Sequence, residues 1–254
     1  MAEVAKDDMG SSSEAAVKNT VEDLESDFEI GTTVATSSVS VRLGFLRKVY
    51  GLLTLQLALT VVISTLFMVV TPVRDLAVNN EWIAIVSIIL SLGCLLGLLA
   101  VRHRHPLNLY LLTLFTVLQS LSVGNICAIY ASIGYGFIIV QAAAATAVIF
   151  GGLTLYCFRS KKDFSFLGGF LYAGLIGLLV VGLLQLFIFV TWLNFLVALA
   201  GVLIMSGYIL FDTSQLIHKF APDEFIVATV NLYLDIINLF LYLVQILSSL
   251  QRDS

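Results

Sequence analysis

The chain has 254 residues, 59% of them hydrophobic and 12% charged, with a formal net charge of −4. Soluble domains usually carry about 25% charged residues, so a water-soluble fold of this length would have to leave apolar side chains over its whole surface. That excludes a soluble enzyme, and the acidic balance argues against a nucleic-acid partner.

The first thirty residues hold nine of the seventeen acids (Glu3, Asp7, Asp8, Glu14, Glu22, Asp23, Glu25, Asp27 and Glu29) and the run Ser11 to Ser13. With no apolar period, residues 1–40 read as a disordered acidic cytosolic tail. The tail does not begin with the basic residues of a signal or transit peptide, so the first span is expected to act as its own insertion signal. Residues 41–254 then read as one all-α membrane domain of about seven transmembrane helices. Only three prolines interrupt long apolar runs, whereas a membrane β-barrel would show short alternating segments. Lipid offers the backbone no partners, so each span must bond its own N–H and C=O groups.

A helix crosses the hydrocarbon core in about twenty residues. Spans are predicted over residues 49–70, ended by Thr71-Pro72, and 82–101, ended by Arg102-His103-Arg104-His105. The third and fourth cover 109–131 and 137–158, the latter closed by Arg159, Lys161 and Lys162. The fifth, sixth and seventh cover 166–187, 192–218 and 225–250. Trp82 and Trp192 open two of these segments, where an amphipathic indole favours the interface. If the spans alternate, Arg42, Arg47, Lys48, Arg102, Arg104, Arg159, Lys161, Lys162 and Lys219 share one side, against Arg74 and Arg252 on the other. The positive-inside rule makes the crowded side, and the amino terminus with it, cytosolic. The seventh segment leaves a second topology open, a re-entrant hairpin that returns to the cytosol.

Within the spans, Gly93-x-x-x-Gly97 and Ala173-x-x-x-Gly177 predict close helix approach. Cys94, Cys127 and Cys157 lie in separate spans without ligand spacing and read as small packing residues. His103 and His105 sit beside arginines and read as a basic edge facing lipid headgroups. No cofactor-binding or nucleotide-binding motif is present.

Two acids do not fit an apolar bundle. Asp235, in Leu232-Tyr233-Leu234-Asp235-Ile236-Ile237-Asn238, falls about ten residues into the seventh span, roughly 15 Å from its start. A charged aspartate at that depth costs about 2.5–3.5 kcal/mol on insertion scales. Asp212 lies near the end of the sixth span, about ten residues before the turn at Ala221-Pro222-Asp223. Antiparallel packing predicts that the two carboxyls meet at similar depth. No Lys or Arg lies within a span to neutralise them, so the pair is expected to resist double ionisation and to titrate jointly. Such a pair can hold a proton or a hard cation. Asn238, Thr213 and Ser214 could add neutral oxygen ligands for a transient Ca²⁺. The bland alternatives are a protonated Asp235 bonded to a neighbouring helix and an Asp212 that reaches interfacial water.

The residues that carry these acids also carry a resemblance. Gly207-Tyr208-x-x-Phe211-Asp212-Thr213 with His218-Lys219, followed by Leu232 to Leu241, resembles the signature of the transmembrane Bax inhibitor motif family. Phe45 to Tyr50, Arg102-His103 with Pro106 to Leu112, and Ser160 to Ser165 look most like its lifeguard branch, that of the Golgi anti-apoptotic proteins. The resemblance spans residue 27 onward. It implies a seven-helix bundle with the last helix at the centre and a pH-responsive Ca²⁺ leak from intracellular stores through aspartates that map onto Asp212 and Asp235. It further implies suppression of apoptosis, residence in the Golgi or endoplasmic reticulum, and coupling to inositol trisphosphate receptors. Many relatives carry a glutamate in the third span where this chain has Gln119, which keeps the hydrogen bonding without the charge and is expected at most to support the site as a neutral group.

Three other classes compete. A non-conducting regulator would bind other channels or cell-death proteins through its cytosolic loops and not need the buried acids. An intramembrane aspartyl protease also pairs two aspartates, but Leu232-Tyr233-Leu234-Asp235 lacks its GxGD run, and no proline follows Asp235. A heptahelical receptor would need the opposite orientation.

Overall fold

The computed structural model describes residues 39–80, 82–160, 162–185, 187 and 191–252. The predicted acidic tail, apart from its last two residues, and Lys161 lie outside them. Apolar runs uninterrupted by proline give α1 (Val39–Val69), α3 (Trp82–Ala100), α4 (Leu107–Ser132), α5 (Gly136–Arg159), α6 (Gly168–Gln185), α7 (Thr191–His218) and α8 (Phe225–Arg252). A short helix, α2 (Thr71–Asn79), follows α1, and a 3-10 turn (Ser165–Leu167) leads into α6. Seven helices are long and apolar enough to cross a membrane, and the described residues contain no strand.

The bundle is arranged from its last helix outward. α8 packs against α7, α5, α1 and α4, and Leu232, Tyr233 and Leu239 along it are fully buried. It runs unbroken for 28 residues, about 42 Å at 1.5 Å per residue, which rules out a hairpin. α6 packs chiefly on α7 and turns Phe170, Leu179 and Leu183 outward. Trp82 and Trp192 stand exposed at the first turns of α3 and α7.

The structure departs from the sequence reading at both ends of α1. The helix starts ten residues before the apolar run, because Phe45 and Val49 already enter the core between Arg42, Arg47 and Lys48. Past its end, Thr71-Pro72 opens α2 with a proline in the first turn, where the missing N–H costs nothing. α2 is held by the Asn125 amide on α4, which donates to the Ala77 carbonyl at 3.0 Å.

Close packing also falls at other glycines than those predicted. Around Gly93 and Gly177 there is open space, and Gly97 has only an ordinary 3.9 Å approach to Leu111. The tight positions line α7 and its neighbours. A Cβ on Gly201 would stand 2.6 Å from the Tyr242 ring, one on Gly207 2.6 Å from Leu171, and one on Gly174 2.9 Å from Ile204.

Basic residues gather at one end of the bundle, where the loop between α3 and α4 meets the turn between α7 and α8. His103 Nδ1 lies 3.1 Å from Asp223, and Arg102 3.9 Å from Glu224. His105 stacks on Phe225 at 5.7 Å, and the Lys48 ammonium stands 5.4 Å above the same ring.

Candidate functional site: a carboxyl pair between α7 and α8

Asp212 on α7 is 6% exposed and Asp235 on α8 7%. Both carboxyl groups line the same cavity. Oδ2 of Asp235 is buried with no N–H or O–H donor directed at it. Two carboxylates so placed cannot form a hydrogen bond unless one of them is protonated.

The pair opens onto a cavity of about 330 Å³ between α7, α8 and the edge of α6. Tyr208 and Gln215 flank Asp212 at the helical spacings i−4 and i+3, and Asn231 and Asn238 flank Asp235 in the same way. Leu175, Met205, Phe211 and Leu234 supply the apolar wall. None of the lining residues is Lys, Arg or His. Asn238 donates to the Leu234 carbonyl at 2.9 Å, which leaves its amide oxygen as an acceptor. The donor set is therefore two carboxyls plus neutral amide and phenol oxygens, a hard-oxygen set that suits Ca²⁺. Among the described residues no group of three or more His, Cys, Asp or Glu side chains could hold a metal ion.

Of the six residues predicted for this site, the cavity brings together Asp212, Asp235 and Asn238. Thr213 is fully buried but lies beside the Tyr50 hydroxyl of α1. Ser214 turns to the loop before α6, donating to Asp163 at 3.2 Å and accepting the Phe164 N–H at 2.9 Å. Gln119 accepts a hydrogen bond from Ser91 of α3 at 3.2 Å and is not a lining residue. One residue along a helix turns the side chain by about 100°, so neighbours in sequence to Asp212 face elsewhere. Tyr208, Gln215 and Asn231 were missed, although the i±3 and i±4 rule around each aspartate identifies all three.

Asp163, outside the spans, accepts from the Ser165 hydroxyl and amide and from Ser214. These bonds, the Ser165 hydroxyl foremost, hold its carboxyl below the usual aspartate range.

On the other side of α8 lies a seam of hydroxyls. Thr60 of α1 is 2.9 Å from both the Tyr233 hydroxyl and the Ser120 hydroxyl of α4. One turn away, Gln56 donates to Thr116 at 2.8 Å. Cys94, Cys127 and Cys157 are free thiols on three different helices.

A polytopic helical bundle with a buried acidic pair on its last two helices defines a class, and comparison with known proteins narrows it. The family of inhibitors of apoptosis-promoting Bax1 matches residues 42–252. Mouse protein lifeguard 4 is 40% identical over 229 residues, covering 90% of this chain and 94% of its own length. The Golgi anti-apoptotic protein of vaccinia virus strain Lister is 41% identical over 224 residues, 88% of this chain and 93% of its own. Bax inhibitor 1 of Schizosaccharomyces pombe is 37% identical over 241 residues, 94% and 88% respectively. The chain belongs to the Bax inhibitor family; the vaccinia relative is named as anti-apoptotic and the Schizosaccharomyces pombe relative as a Bax inhibitor.

Proposed function

We propose that this protein is a Ca²⁺-leak channel of Golgi membranes, and also of the endoplasmic reticulum, gated by the proton that Asp212 and Asp235 share. The observation that carries this reading is the pairing itself. Two buried carboxyls face one cavity with no basic side chain to neutralise them. A proton held between them leaves the cavity with at most one negative charge. Its loss leaves two carboxylates, and a divalent cation becomes the partner that removes their mutual repulsion. Tyr208, Gln215, Asn231 and Asn238 replace part of the ion's hydration shell.

The amino terminus faces the cytosol, and the basic end of the bundle lies at the same surface. A steady leak lowers the Ca²⁺ content of the store, damps release through inositol trisphosphate receptors and so weakens the calcium signal for cell death. This accounts for anti-apoptotic action without enzymatic chemistry.

The test is Ca²⁺ flux in liposomes that hold only the purified protein, measured between pH 5 and 8 for wild type, Asp212→Asn and Asp235→Asn. Wild type is expected to leak with a pH dependence that either substitution flattens. The two sites interact by more than about one pK unit if they titrate jointly, which is a tenfold effect on proton occupancy. Folded wild-type protein with no flux would overturn the channel reading. The loops at the basic end, where Arg102 and His103 meet Glu224 and Asp223, would then be the surface through which it regulates other proteins.

A further inference from the structure

α8 carries a polar group on each of two opposite faces. Asp235 and its flanking residues Asn231 and Asn238 face α7. Tyr233 lies two residues earlier, about 200° around the helix, and faces α1 and α4. Its hydroxyl meets Thr60 at 2.9 Å, Thr60 in turn meets Ser120 at 2.9 Å, and the Tyr233 ring stands edge-on to Phe115 at 5.9 Å. Tyr233 is fully buried, and Thr60 and Ser120 are 4% and 0% exposed. Three hydroxyls from three helices therefore close at one point, directly across the helix axis from the carboxyl pair.

We infer that Tyr233 is a positioning residue for the acidic pair, a hook that fixes the rotation of α8 and so holds Asp235 against Asp212. The lever arm makes the hook sensitive. A tyrosine hydroxyl lies about 9 Å from its helix axis, so a rotation of about 10° displaces it by roughly 1.5 Å. That displacement is enough to break a hydrogen bond. Any turn of α8 that swings Asp235 out of the cavity must first pull Tyr233 off Thr60. The hydroxyls cannot bond to lipid or to an apolar wall, so the hooked orientation is favoured over the rotated ones.

The lining of the cavity makes the hook readable through the pair. The titratable groups that face Asp235 across the cavity are Asp212 and Tyr208, both on α7. α1 and α4 meet the opposite side of α8 through Thr60, Ser120 and Phe115, and α5 packs on α7 and α8 with the apolar Ile149, Phe150 and Leu153, its Cys157 thiol meeting the Leu210 carbonyl rather than lining the cavity. A change at Tyr233 therefore reaches the pair only through the orientation of α8.

This inference rests on the proposed sharing of a proton, and its test separates the two. The infrared carbonyl stretch of protonated carboxyl groups, followed against pH in reconstituted full-length protein, reports the pair whether or not ions flow. Wild type is expected to show a band that Asp235→Asn removes. Tyr233→Phe, which deletes one oxygen, is expected to move the midpoint of that band by about one pH unit, a tenfold change in proton affinity. Thr60→Val, which removes the partner from the other side, is expected to move it likewise. Thr113→Val, a hydroxyl on the exposed face of α4 bonded only within its own helix, should leave it in place. An unmoved midpoint in both Tyr233→Phe and Thr60→Val would reduce the hook to ordinary packing and overturn the inference, as would a wild type with no band sensitive to Asp235→Asn. Should the band shift in the absence of Ca²⁺ flux, the hook stands and the channel reading falls.

Discussion

α6 and α8 are neighbours of α7 with opposite duties. α6 is almost wholly apolar, and apart from the face that Leu171, Gly174 and Leu178 press on the bundle, most of its large side chains point outward. More than half of the central stretch of α8 is buried, yet that helix carries Asn231, Tyr233, Asp235 and Asn238. In water the more apolar helix would be the inner one. In a bilayer the lipid tails are as apolar as leucine, so apolar surface gains nothing by turning inward. Polar side chains do gain, because only the centre of the bundle holds partners for them. Hydropathy therefore locates the spans while ranking these two in the reverse of their burial.

The sharpest way to break that comparison is to exchange its terms. Leu179→Arg places a charge on the outward face of α6, where Leu179 is 60% exposed. The substitution is expected to reduce insertion of α6 by about 2.5–3.5 kcal/mol near the middle of the span. Insertion efficiency, followed by glycosylation tags on either side of the segment, measures it. An insertion no worse than wild type would mean that this face of α6 meets protein or water rather than lipid.

A smaller difference is expected between two glycines. Gly201→Ala sets a Cβ against the rigid Tyr242 ring of α8 and should cost about 1–3 kcal/mol. Gly177→Ala on α6 enters open space and should fall within about 0.5 kcal/mol of wild type or gain slightly from helix propensity. Thermal unfolding in one detergent compares them directly. Equal effects would mean that Gly177, too, faces a packed neighbour rather than open space.

The smallest effect is expected at Asp163, which ties the loop before α6 to α7 through Ser214. Its carboxyl is held below the ordinary aspartate value of about 3.9. A depressed carboxyl stabilises the fold above that value, and the contribution is lost as pH falls through the folded-state pKa. Asp163→Asn should therefore lower stability at pH 7 by a fraction of about 1 kcal/mol, since the site is exposed. The gap from wild type should close in strong acid. A gap that persists there would assign the effect to packing of the loop rather than to charge.

The sequence carried depth well and azimuth poorly. Counting residues from the turn at Pro222 placed Asp212 and Asp235 side by side, and the structure brings them together. Counting also placed seven spans, because an apolar run of about twenty residues has few other uses. What a run cannot report is which way each side chain points. Thr213 and Ser214 sit at the correct depth but face Tyr50 and Asp163. Gln119 faces Ser91, on a helix pair that does not border the cavity. The glycine contacts were misjudged for the same reason. Spacing identified Gly93 and Gly97 as a motif, but tight approach depends on which neighbour the face meets, and α3 turns Gly93 to open space. The start of α1 and the whole of α2 were lost to an apolar filter that passes over amphipathic turns.

The central place of α8 has a consequence for how the molecule is made. A chain delivered to the bilayer in order completes α1, α4, α5 and α7 before their common neighbour leaves the ribosome. The waiting hydroxyls tolerate this, because each bonds a carbonyl one turn back in its own helix: Thr60 to Gln56 at 2.9 Å, Thr116 to Leu112 at 2.7 Å, Ser120 to Thr116 at 2.6 Å. Asp212 has no such self-sufficiency, since its counterpart arrives 23 residues later in translation. A nascent chain stalled ahead of Phe225 would leave a solitary acid in the membrane, a lesion that the cell's quality-control machinery is equipped to recognise.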